Sequence, residues 1–123
     1  TVRRGRTNTP LQAFVTLNDP VFVEAAQALA RKICEEGGTS DGSRLEFAFR
    51  TLLGRRPSDV EAARLGKLLD GLRAGFSEDR ERAVKMATDP VGPLRPGADP
   101  VELASWSSVS NVLLNLDEVL MRR

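Results

Sequence analysis

The chain has 123 residues, 41% of them apolar, and its 18 basic and 17 acidic side chains leave a net charge of +1. That balance suits one globular unit with a real core, and it offers no overall field for nucleic acid or an anionic membrane. Histidine is absent and Cys34 is the only cysteine. The usual general base, disulfides, zinc clusters and internal redox pairs are therefore excluded.

The first segment carries two helix starts ten residues apart, Thr9-Pro10 and Asp19-Pro20, behind Arg3, Arg4 and Arg6. An oxygen-bearing cap accepts a backbone N–H, and proline at the first helical position needs no donor. A short helix is expected over residues 10–17. A second runs from 20 to about 36, stopped by Gly37-Gly38. Its Phe22, Ala26, Leu29 and Ile33 form one apolar stripe, with Glu24, Gln27, Arg31 and Glu35 expected to face away.

After a TSDGS loop, a third helix is expected over 43–53, with Gly54 as its stop. Ser58 and Glu61 then make a capping box that opens the fourth helix, so the third and fourth read as an antiparallel hairpin. Leu65, Leu68, Leu69, Leu72 and Phe76 are its expected core stripe. Ser77 is the expected cap of a fifth, more polar helix reaching Thr88. Residues 89–99, DPVGPLRPGAD, hold three prolines and two glycines, which rules out regular structure and predicts a long loop crossing the surface. Asp99-Pro100 repeats the cap device, with Glu102 placed to complete a box. The last and longest helix is expected over 100–121, with Val109, Val112, Leu113, Leu116, Val119 and Leu120 on one face and Trp106 near its edge. The fold class is all-α: a compact bundle of five or six helices with one long Pro/Gly-rich loop, residues 1–123 forming a single domain. No apolar run approaches a membrane span.

Chemistry is scarce. Ser105, Ser107, Ser108 and Ser110 lack a histidine to activate them, and read as small residues that let helices approach closely. Glu35-Glu36 and Asp117-Glu118 are sequence neighbours about 100° apart on a helix, so neither pair converges. There is no phosphate loop, dinucleotide fingerprint or haem-attachment motif, and no cofactor is expected. Cys34 sits among apolar neighbours and reads as a buried, inert thiol. The acidic residues after the Gly54–Pro57 turn argue against a helix-turn-helix, so no nucleic-acid partner is expected. What remains is an arginine-rich entry, Arg3, Arg4 and Arg6 with Asn8, and the Arg55-Arg56 turn. These are candidates for an anion or an interdomain contact, because guanidinium forks match planar oxyanions.

Several motifs carry a family resemblance: Thr1-Val2-Arg3-Arg4, Arg6-Thr7-Asn8-Thr9-Pro10-Leu11-Gln12-Ala13, Leu17-Asn18-Asp19-Pro20 and Phe22-Val23-Glu24-Ala25-Ala26. Phe49-Arg50-Thr51-Leu52-Leu53-Gly54-Arg55-Arg56-Pro57 continues it, and Trp106, Val109 and Leu113-Leu114-Asn115-Leu116-Asp117-Glu118 close it. In these the chain resembles the planctomycete-type C-terminal domain of unknown function found in large, exported, cytochrome c-associated proteins. The resemblance implies the C-terminal part of a longer protein, with a partner domain and often a cytochrome c-like segment upstream. It implies export, and supposed roles in electron transfer or polysaccharide processing. It carries over no catalytic residue, and the lack of CxxCH means that haem chemistry could not reside in this chain. The start at Thr1 likewise points to a processed or cut product.

Three functions follow as expectations. The first is a non-catalytic structural or interaction module whose partner is the upstream domain of the same polypeptide. The second is half of an enzyme site, with Arg3, Arg4 and Asn8 completing a pocket on that domain. The third is binding of an anionic polysaccharide through the arginine entry and the Arg55-Arg56 turn.

Overall fold

Residues 20–116 are described by this computed structural model, with side chains described from residue 23 onward. Among them are five α-helices and no strand: α1 (Pro20–Glu36), α2 (Asp41–Leu53), α3 (Asp59–Glu78), α4 (Arg80–Thr88) and α5 (Pro100–Leu114). The fold is an all-α bundle. The helix expected over 10–17 lies outside the described residues.

The centre of the bundle is α5. Leu103, Ala104, Trp106, Val109 and Leu113 are buried, and so are Ser105, Ser107 and Ser110. Trp106, Val109 and Leu113 pack in one cluster with Ala30 and Ile33 of α1, Phe49 of α2 and Leu69 of α3. Ala104 joins a second with Phe76 of α3 and Ala83 of α4. The one-sided stripe expected of this helix is thus too narrow, and Trp106 lies at the heart of the core rather than at its edge. Neighbours crowd α5 closely because its serines and alanine are small. Ser107 Oγ donates to Leu103 O (2.7 Å) and Ser108 Oγ to Ala104 O (3.2 Å), so these hydroxyls are satisfied within their own helix.

Local signals set most boundaries. Ser40 caps α2, its side chain accepting from Ser43 N, so the helix begins two residues earlier than expected. Gly54, at φ 72°, closes it with its N–H shared between Phe49 O and Arg50 O. The capping box that opens α3 is formed in both directions, Ser58 Oγ accepting from Glu61 N and Glu61 Oε1 from Ser58 N. α2 and α3 run antiparallel, since Asp41 at the start of one meets Arg73 near the end of the other.

Three expectations fail locally. Ser77 does not cap α4. It lies within α3, and Asp79 is the cap, accepting from Arg82 N. Leu68 is not core but 38% exposed, because only Leu69 and Phe76 of that stripe are fully buried. Nor does α5 reach residue 121: it ends at Leu114. Asn115 Nδ2 takes Asn111 O (2.8 Å), the carbonyl its own N–H would need to continue the helix. That N–H turns to Val112 O, and Leu116 N to Leu113 O, tightening the last turn.

Candidate functional site

Of the polar row on α1, Glu24 and Glu35 are exposed as expected, but Gln27 and Arg31 turn to the loop after α4. Gln27 is buried. Its Nε2 donates to Met86 O (2.5 Å) and Asp89 O (2.9 Å), while its Oε1 accepts from Val91 N (3.2 Å). One turn on, Arg31 Nη2 donates to Gly92 O (2.5 Å) and Ala87 O (3.2 Å). One turn further, Glu35 accepts from Arg95. Residues 27, 31 and 35 recur at the four-residue spacing that aligns side chains along a helix. Together they clamp the end of α4 and the Pro/Gly-rich loop onto α1.

A half-open cleft of about 420 Å³ lies between this clamped loop, the second half of α1 and the start of α5. Arg31, Arg44 and Arg95 supply its positive charge, and Glu35, Asp99 and Glu102 its negative charge. These charges are largely used up within the protein. Arg95 pairs with Glu35, and Asp99 caps α5 by accepting from Val101 N (2.9 Å). Arg44 donates from Nη1 to Glu102 Oε1 (3.3 Å) and from Nε to Gly38 O (3.0 Å).

Glu102 does not complete a capping box with Asp99, because its carboxylate is taken by Arg73 of α3. Arg73 donates to Glu102 from Nε (2.6 Å) and Nη2 (2.9 Å), and to Asp41 from Nη1 (2.8 Å) and Nη2 (2.7 Å). One guanidinium thereby joins α2, α3 and α5. The hydrogen bonds from Arg73 hold the Asp41 carboxyl below its ordinary range. Asp41 and Glu102 in turn make Arg73 harder to deprotonate.

Cys34 lines the same cleft. Burial raises its thiol pKa above the ordinary value, and the opposing pull of Arg44 is smaller. A neutral thiol without a neighbouring base is a poor nucleophile. Among the described residues no group of three metal-ligating side chains converges, and no helix is long and apolar enough to cross a membrane.

Of the sequence-derived candidates, Arg3, Arg4, Arg6 and Asn8 lie outside the described residues. Arg55 and Arg56 are at the α2–α3 turn and do not line the cleft. Arg55 is bidentate to Glu61 (2.9 and 3.0 Å) and sits 5.4 Å above the Phe49 ring. Arg56 is exposed and lies 3.5 Å from Glu46. Hydrogen bonds from Arg55, then from the Ser58 backbone, lower the Glu61 pKa to about 2. Sequence reasoning gave Arg44 and Arg73 no role, and it read Gln27 only as an outward-facing residue and Glu102 only as a capping partner. The one signal available was the polar row 27-31-35, each member a strong hydrogen-bonding type.

No curated protein matches the chain, and no solved structure does. The model of PSD1, described as a protein of unknown function (DUF1553), matches residues 1–69. That match covers more than half of the sequence and ends inside α3, and the chain belongs to this family of unknown function.

Proposed function

We propose that residues 1–123 form a single, non-catalytic domain that serves as a structural or interaction module of a longer, exported bacterial protein. The observation that carries this reading is how the charged side chains of the cleft are used. Arg44, Glu102, Arg95 and Glu35 pair with one another, and Arg31 and Asp99 bind backbone groups. Groups fixed in this way hold helices and loop in place, whereas a reaction centre needs a base or nucleophile left available to substrate. The resemblance to the planctomycete-type domain of cytochrome c-associated proteins supports the longer parent and its export. The Arg55–Glu61 pair gives polyanion binding little support, because a sulfate would have to displace a bidentate carboxylate.

Hydrogen exchange tests the reading, applied to the chain alone and within its full-length parent. A module docked on the rest of the polypeptide gains protection over one contiguous surface, with core amides unchanged. Identical exchange in both forms, or a reading frame with no further domain, overturns it.

A further inference from the structure

We draw no further inference here: the strongest candidate, the cleft between the Pro/Gly-rich loop, the second half of α1 and the start of α5, belongs to the site already described, and Arg31 on its wall is already bound to the carbonyls of Ala87 and Gly92.

Discussion

Gln27 shows how much one side chain can do when both ends of its amide are used. It supplies a donor to two carbonyls, Met86 O and Asp89 O, and an acceptor to Val91 N, all inside a shell that excludes water. Glutamate has nearly the same shape but no donors, and it would set a negative charge against both carbonyls. Gln27→Glu is therefore expected to lower stability by about 2–3 kcal/mol and to cost more than Gln27→Ala. Urea denaturation at neutral pH measures both. The sequence could not reveal this role. A glutamine beside an apolar stripe looks the same whether it meets solvent or a loop some sixty residues away. Arg31 was misplaced for the same reason.

At the scale of elements, the α2–α3 connection was read correctly because its signals are local. The exchange between Ser58 and Glu61 spans three residues, and Gly54 marks its own left-handed turn. Where the deciding contact was a competing local one, the reading slipped: Asp79 displaced Ser77 as a cap, and the Asn115 side chain ended α5 early. The Glu61 carboxylate gives this connection a pH signature. Its folded-state pKa is about 2 against an ordinary 4.5, so its contribution is complete above 4.5 and is lost as pH falls towards 2. Thermal melts across that window are expected to show a steeper acid loss in the wild type than in Glu61→Gln. At neutral pH the variant is the less stable of the two, and the curves converge near pH 2.

Across the whole molecule, Arg73 is the principal polar joint. Its guanidinium holds two carboxylates from two different helices, with side-chain exposures of 27% for Arg73, 41% for Asp41 and 28% for Glu102. Arg73→Met leaves Asp41 and Glu102 without their shared partner and is expected to cost about 1–3 kcal/mol. Arg73→Lys is expected to recover only part of this, since an ammonium has three donors in no planar fork to replace the four hydrogen bonds of the guanidinium. Denaturant midpoints separate the two variants. The all-α class was legible from helical spacing and punctuation, but this joint was not. Residues 41, 73 and 102 are far apart in sequence, and only the antiparallel packing of α2 and α3 beside α5 brings them together.

The placement of α5 also bears on how the chain acquires its structure. The helix around which the other four are arranged is the last of the five to be synthesised. While the ribosome is still making residues before Pro100, the apolar faces of α1, α3 and α4 have no axle to close upon. They must wait, open to solvent or to a chaperone, and the bundle gains its cooperativity only when Trp106 and its neighbours arrive.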